Sequence, residues 1–204
     1  MPRSSNQAGS ARSAEDGVVV ALPAGALRFL RYTHIFASVV REVLVVRLLE
    51  EVSPSSLTSA QFHLLKVMTR NGQHQLREVA GLLGVSPPAA TKNIDKLERL
   101  GLVVRTPSKG DRRSTLLSVS PKGRRLVQRY ERLAEASLRP VLEGFGEQDL
   151  EVFTGLLERF AVELLEAGRG NDRFCLRCAA YLEEGCPVGR ARGGCPYQKA
   201  PAAQ

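Results

Sequence analysis

The chain has 204 residues, 43% hydrophobic and 25% charged, the balance of an ordinary globular protein with enough apolar material for a core. Its net charge of +8 is unevenly spread, with +2 on residues 1–69, +9 on residues 70–130 and −3 on residues 131–204, which excludes a chain-wide basic coat and leaves a local basic surface suited to a polyanion. Pro23, Arg28, Arg41, Glu42 and Arg47 interrupt the longest apolar stretches, so no membrane span is expected, and without an early apolar run the N-terminus does not read as a signal peptide. A cytoplasmic protein with no membrane partner follows, in a compartment that disfavours disulfides.

Residues 1–17 are polar and rich in Ser, Gly and Ala, the composition of a disordered tail. Val18–Leu22 is a short apolar run ended by Pro23; it reads as a strand or as an arm on a partner subunit, and the sequence does not decide. Residues 25–52 read as one long helix, with Leu27, Leu30, Phe36, Val39, Val40, Val43, Val46 and Leu49 at roughly helical spacing. Other apolar residues cover much of the remaining circumference. Such a helix seeks burial on several sides, as a central helix or in a dimer interface. Region 18–56 is therefore assigned to N-terminal dimerisation.

A second helix opens at Leu57-Thr58-Ser59-Ala60 and runs to about Arg70, with Thr58 as its N-cap. Phe62, Leu65, Val67 and Met68 supply its apolar face, and Asn71-Gly72 stops it. Residues 75–85 give a short helix with Leu76, Val79 and Leu83 on one side, closed by Gly84 in the tight turn of a helix-turn-helix. Ser86 caps the next helix and Pro87 takes its first position, where a missing N–H is harmless. Ala90, Ile94, Leu97 and Leu100 form its buried stripe. Thr91, Lys92, Asn93 and Lys96 are left facing outward, with Ser86 and Pro88 at the same end. These groups suit a helix inserted in the major groove of double-stranded DNA, although a solvated surface helix would have the same pattern.

The following segment favours DNA. Leu102–Thr106 and Thr115–Val119 are β-prone runs joined by a basic loop containing Lys109, Asp111, Arg112 and Arg113. That is a hairpin with a cationic tip, the wing of a winged helix. A narrow minor groove attracts inserted arginine, and Arg112 and Arg113 are placed for it. Asp111 would repel phosphate unless it pairs with an arginine and fixes the orientation of its fork. Ser120-Pro121-Lys122-Gly123 then starts another helix with an N-cap and a proline at its first position.

On LTSAQFHLL (57–65), LREVAGLLGVSPPAATKNIDKLERLGLV (76–103) and the wing run DRRSTLLSVSPKG (111–123), the chain resembles the multiple-antibiotic-resistance regulator (MarR) family over about residues 25–167. The resemblance implies a mainly α fold with a small β-wing, in which a winged helix-turn-helix (57–121) lies between N- and C-terminal dimerisation helices. It also implies a triangular homodimer with a recognition helix in each major groove and a wing in the adjacent minor groove. Carried over by position, Thr91 and Lys92 meet the major groove, and Arg113 enters the minor groove oriented by Asp111. Arg112 and Lys109 touch phosphate. A small-molecule effector pocket is also allowed, with His34, His63 and Arg41 as candidate lining, although each reads first as an ordinary surface or core residue.

Residues 122–168 read as the C-terminal dimerisation helices. Lys122–Leu142 carries Leu126, Val127, Tyr130, Leu133, Leu138 and Val141, and Pro140 is expected to end or kink it. Glu147–Ala167 has Leu150, Phe153, Leu157, Phe160 and Leu164 at 3–4 spacing, with its acids outward.

All four cysteines, Cys175, Cys178, Cys186 and Cys195, lie in region 169–204 with spacing C-x2-C-x7-C-x8-C. Clustering among glycines favours metal ligation over inert core thiols. A four-cysteine zinc site usually pairs two short knuckles. Here one C-x2-C is joined by two isolated Cys-Pro steps, which is closer to iron–sulfur ligation. An iron–sulfur cluster is preferred, with zinc as the alternative and a thiol switch as a third reading.

Together these features predict a homodimeric transcriptional repressor on a pseudo-palindromic operator, responsive to redox, oxygen or nitric oxide through the cluster. The alternative is the same regulator with structural zinc and a small-molecule inducer. An iron–sulfur enzyme or electron carrier is disfavoured, because the chain has no nucleotide-binding loop, nucleophile elbow or His/carboxylate metal motif. A sequence-indifferent architectural DNA binder is the remaining rival.

Overall fold

The computed structural model describes residues 23–53, 57–107, 115–168, 186–191 and 194–195. The backbone divides into two compact units, Met1–Ser38 and Val39–Gln204. The tail over 1–17 and the Val18–Leu22 run lie outside the described residues.

The described part of the first unit is the start of helix α1 (Ala26–Arg41). Leu27, Phe29, Leu30, Tyr32, Ile35 and Phe36 are all exposed there. Thr33 Oγ1 donates to the Phe29 carbonyl at 2.9 Å, and the Arg28 guanidinium lies 5.9 Å from the centre of the Tyr32 ring. The long helix expected over 25–52 is present with a local change of winding. Glu42–Arg47 is π-helical and is followed by α2 (Leu48–Val52). Extra backbone in a π turn re-aims the side chains after it. Leu48, Leu49 and Val52 are buried, whereas α1 has no buried residue.

In the second unit, α3 (Ser59–Asn71) starts at the expected Thr58 cap. Thr58 Oγ1 accepts from the Gln61 N–H at 3.2 Å, and Gln61 Oε1 accepts from the Thr58 N–H at 3.1 Å, a reciprocal capping box. Gly72 ends α3 at φ +76°. Helix α4 (Leu76–Leu83) closes on Gly84, which is left-handed at φ +62°, a conformation glycine adopts without the Cβ penalty. Helix α5 (Pro87–Arg99) follows. Strands β2 (Val103–Pro107) and β3 (Thr115–Val119) form the expected hairpin, with Val103 opposite Val119 and Pro107 opposite Thr115. Helices α6 (Pro121–Leu142) and α7 (Glu147–Ala167) come next, and α8 (Pro187–Ala191) is the last described helix.

One detail departs from expectation. The sheet has a third strand, β1 (His74–Gln75), paired antiparallel with Leu116 and Leu117 of β3. Two residues are too short for an alternating pattern to register. Pro140 lies inside α6, which ends two residues later at Leu142, the limit expected for it. A proline this near a C-terminus removes a single interior hydrogen bond, so the last turn tolerates it.

The core lies where the helix-turn-helix, sheet, α2 and α6 meet. Phe62, Leu64, Leu65, Ile94 and Leu97 are fully buried, and Leu102, Val103, Leu117 and Val119 of the wing base pack with them. The wing is thus an extension of the core, and its base is held rigidly.

Candidate nucleic-acid interface

The groove-facing element is α5. Ser86 occupies its N-cap position in extended conformation, but its hydroxyl makes no capping bond; the expected cap is positional only. Ser86, Pro88 and Lys92 are exposed, and Thr91 and Lys96 are half-buried. Thr91 Oγ1 donates to the Pro87 carbonyl at 3.0 Å, which bends the hydroxyl back along the helix. Ala90, Ile94 and Leu97 are buried as expected, and Leu100 is partly buried against them.

Asn93 does not face outward as expected. It is half-buried. Its Nδ2 donates to the Ala89 carbonyl at 2.9 Å, and its Oδ1 accepts from Gln61 Nε2 at 2.9 Å. Gln61 is 5% exposed, so both ends of its amide are spent inside the protein, one on the α3 cap and one on α5. A satisfied buried amide pair of this kind fixes two helices in register.

A second brace comes from the wing. Arg105 on β2 places one guanidinium nitrogen 2.5 Å from Asp95 and another 2.9 Å from Glu98. Both acids belong to α5 and would otherwise repel phosphate. The Arg105 fork neutralises them and leaves Lys92, Lys96 and Arg99 to set the charge of the helix. Sequence reasoning missed this residue. The available signal was the pair of acids, three apart, on a helix assigned to DNA.

The Ser120-Pro121-Lys122-Gly123 motif joins α5, the wing and α6. Ser120 Oγ donates to the Gly101 carbonyl at 2.6 Å and accepts from the Gly123 N–H at 3.0 Å. The Ser120 N–H donates to the Leu102 carbonyl at 2.9 Å, and Lys122 Nζ donates to the Leu100 carbonyl at 2.8 Å. A Cβ on Gly123 would stand 2.3 Å from the Leu102 oxygen, so only glycine fits. Lys109, Asp111, Arg112 and Arg113 belong to the stretch between the paired Pro107 and Thr115 and lie outside the described residues.

Helix α6 carries the assembly away from the wing. The Tyr130 hydroxyl donates to the Leu44 carbonyl, inside the π segment. The Tyr130 ring is 4.4 Å from Phe62, centre to centre, and Lys66 Nζ is 5.7 Å from its centroid. Burial, with a smaller push from the Glu131 carboxylate, holds the Tyr130 phenol above its ordinary value. Of the residues considered for effector lining, His63 is buried, while His34 and Arg41 are exposed.

Cys186 and Cys195 are described and half-buried; Cys175 and Cys178 lie outside the described residues. No group of three or more metal-ligating side chains occurs among the described residues, and no described helix is long and apolar enough to cross a membrane.

Residues 57–115 match the MarR family model. The HTH-type transcriptional regulator FarR of Neisseria gonorrhoeae is 22% identical over 121 residues, 59% of this chain and 83% of FarR. The Escherichia coli homoprotocatechuate degradative operon repressor is 25% identical over 109 residues, 53% of this chain and 74% of that protein. Streptococcus pneumoniae FabT, solved in complex with DNA, superposes with a TM-score of 0.56 at 23% identity, covering 67% of this chain and 98% of FabT. Two of these proteins are named for control of transcription, FarR as a transcriptional regulator and the Escherichia coli protein as an operon repressor. Residues 57–115 of this chain are thus similar to the MarR family, and their described part folds as a helix-turn-helix followed by the paired strands of a wing.

Proposed function

We propose that this protein is a homodimeric, sequence-specific repressor of MarR type, acting in the cytoplasm on a pseudo-palindromic operator with half-sites about one helical turn apart. The observation that carries this reading is the braced presentation of α5. Gln61 and Asn93 lock it from behind and Arg105 holds it to the wing, while Ser86, Pro88 and Lys92 stay open. Thr91 and Lys92 read the major groove, with Ser86, Pro88 and Lys96 beside them and Asn93 as the residue that sets their register. Arg113, oriented by Asp111, enters the minor groove, and Lys109 and Arg112 contact phosphate. FabT, which shares this fold, was solved in complex with DNA, and that supports a DNA-binding reading.

A second copy of the chain covers the apolar surface each unit leaves open. In the first unit this is the Leu27, Phe29, Leu30 and Phe36 face of α1. In the second it is Val141, Leu142 and Phe145 near the end of α6 with Val152, Phe153 and Leu156 of α7. Full burial of one such side chain stabilises by about 1.5–3 kcal/mol, so these faces favour a permanent dimer through regions 18–56 and 122–168.

Cys175, Cys178, Cys186 and Cys195 hold an iron–sulfur cluster, with zinc as the other metal the ligand set accepts, and this site receives a redox, oxygen or nitric-oxide signal. Cys186 and Cys195 are both half-buried thiols, and Cys186 Sγ accepts the Gly189 N–H at 3.4 Å; soft thiol ligands of this kind suit iron–sulfur or zinc. A small-molecule effector acting between the helices is the alternative input.

Selection of bound duplexes from random DNA tests the regulator reading. A specific complex should survive a large excess of unrelated DNA; a complex that is competed away indicates an architectural binder. Anaerobic purification with iron, zinc and acid-labile sulfide analysis tests the cluster. Colourless protein with zinc and no sulfide removes it.

A further inference from the structure

We propose that the outward face of α6 is a second contact surface for duplex DNA, where Arg125, Arg129 and Arg132 hold the phosphate backbone beyond the half-site that α5 and the wing occupy. The inference rests on the reading that α5 meets DNA, and it adds a surface outside the helix-turn-helix and the wing.

Three observations carry it. First, α5 and α6 are patterned alike. Helix α5 buries Ala90, Ile94 and Leu97, and α6 buries Gly123, Val127 and Tyr130. Two positions after each buried residue comes a basic one: Lys92, Lys96 and Arg99 on α5, and Arg125, Arg129 and Arg132 on α6. A shift of two positions turns a helical side chain by about 200°, so each trio lines the face opposite the core. All three α6 arginines are exposed. Second, the acids on both helices are neutralised from other elements. The Arg105 fork takes Asp95 and Glu98 of α5. The acid among the α6 arginines is Glu131, and its carboxylate lies 3.8 Å from Lys66 Nζ and 4.0 Å from an Arg70 nitrogen, both on α3. Among the described residues, Arg125, Arg129 and Arg132 have no side-chain partner of their own. Third, the two faces are joined. Lys122 Nζ donates to the Leu100 carbonyl and Ser120 Oγ to the Gly101 carbonyl. The first turn of α6 is thereby fixed at the end of α5, beside Arg99.

The charge pattern selects the occupant. Arginines at i, i+4 and i+7 span about 10 Å of helix, and like charges at this spacing repel one another. One DNA strand presents a negative charge about every 3.4 Å, so the row faces about three phosphates, which relieve the repulsion and release their own counterions. Continuity with the basic face of α5 favours the duplex already bound there over a separate acidic partner. Contacts of this kind add affinity and salt dependence but carry no base identity.

The test uses the full-length protein and two forms of the selected duplex, one trimmed to the half-sites and one extended by about 10 base pairs, one helical turn, on each side. Affinity is titrated against salt for wild type and for Arg125→Ala/Arg129→Ala/Arg132→Ala, with folding checked by circular dichroism. Each phosphate contact steepens the salt slope by about 0.9. Wild type should bind the extended duplex at least about tenfold more tightly at low salt, with a slope steeper by about 2–5 units for the dimer. The triple variant should lose that difference and match wild type on the trimmed duplex. Glutamine at the same three positions carries the test if the alanine variant does not fold. Arg139→Ala, which removes an α6 charge already paired with Glu135, should behave as wild type. A gain from the flanks that is absent in wild type, kept by the triple variant, or lost equally in Arg139→Ala overturns the α6 surface and leaves the reading of α5 standing. A triple variant weakened equally on both duplexes also overturns it. Wild type that binds neither duplex overturns the reading of α5 and this proposal with it.

Discussion

Gly123→Ala tests how the wing motif holds α6 to the end of the recognition helix. The new Cβ would lie 2.3 Å from the Leu102 oxygen and 2.7 Å from Val119 Cγ1. The first of these is backbone, and it already accepts the Ser120 N–H at 2.9 Å. It cannot yield by a rotamer change. Overpacking of this kind costs about 1–3 kcal/mol. Loss of the Ser120–Leu102 bond adds about 0.5–1.5 kcal/mol, and better helix propensity returns about 0.5–1 kcal/mol. The net is a destabilisation of about 2–3 kcal/mol, or roughly 4–12 °C in the midpoint of thermal unfolding for a chain of this size. Gly81→Ala is the control. It lies inside α4 with nothing within 4 Å of its new Cβ, and it should be neutral or stabilising by up to about 1 kcal/mol. Calorimetry or circular dichroism melting reads both. Equal midpoints for Gly123→Ala and wild type would refute the close approach on which the α5–wing–α6 joint depends.

Arg105→Gln removes two partly exposed ion pairs, so thermal stability should fall by no more than about 1–2 kcal/mol. It also bares Asp95 and Glu98 on α5, so affinity for the selected duplex should fall further, by about tenfold at low salt and less at high salt; an equal loss at all salt concentrations contradicts this account. Tyr130→Phe deletes the bond to the Leu44 carbonyl and should cost about 1 kcal/mol. Because the folded phenol titrates above its ordinary value of 10.0, its contribution is present below about pH 10 and is lost as pH rises through the folded value. Denaturant titrations should therefore show an alkaline loss in wild type that is smaller in the variant. Lys92→Ala should cost about 1–3 kcal/mol on the selected duplex and relax its specificity if Lys92 reads the major groove, and Arg113→Ala should cost about 1–3 kcal/mol on the same duplex if Arg113 reads the minor groove. Unchanged affinity in either titration removes that residue from the interface.

What could be read from the sequence was local chemistry with a fixed period or position. Thr58 and Gly72 bound α3 because capping oxygens and left-handed glycines act within one turn. Ala90, Ile94 and Leu97 are buried because helical spacing alone places them on one face. The limits of α7 fell on the expected residues for the same reason. What could not be read depends on contacts distant in sequence. Asn93 looked like a solvated polar group, but Gln61, 32 residues earlier, draws it inward. Arg105 gave no signal in its own strand, since its partners sit on another element. The π turn at Glu42–Arg47 and the two-residue strand His74–Gln75 have no periodicity to detect. Ser120 and Gly123 were recognised as part of a signature, and only the structure supplies its reason: a hydroxyl bonded on both sides and a glycine with no room for a Cβ.

The central claim is that two recognition helices, held at a fixed separation, read two half-sites together. It is tested most directly by comparing the selected pseudo-palindromic duplex with one carrying about five extra base pairs between the half-sites, half a helical turn. Two protomers should bind the first duplex, and the inserted duplex should lose most of its specific affinity, approaching the level of unrelated DNA. Equal affinity for the two duplexes would contradict the dimeric, sequence-specific reading at its root.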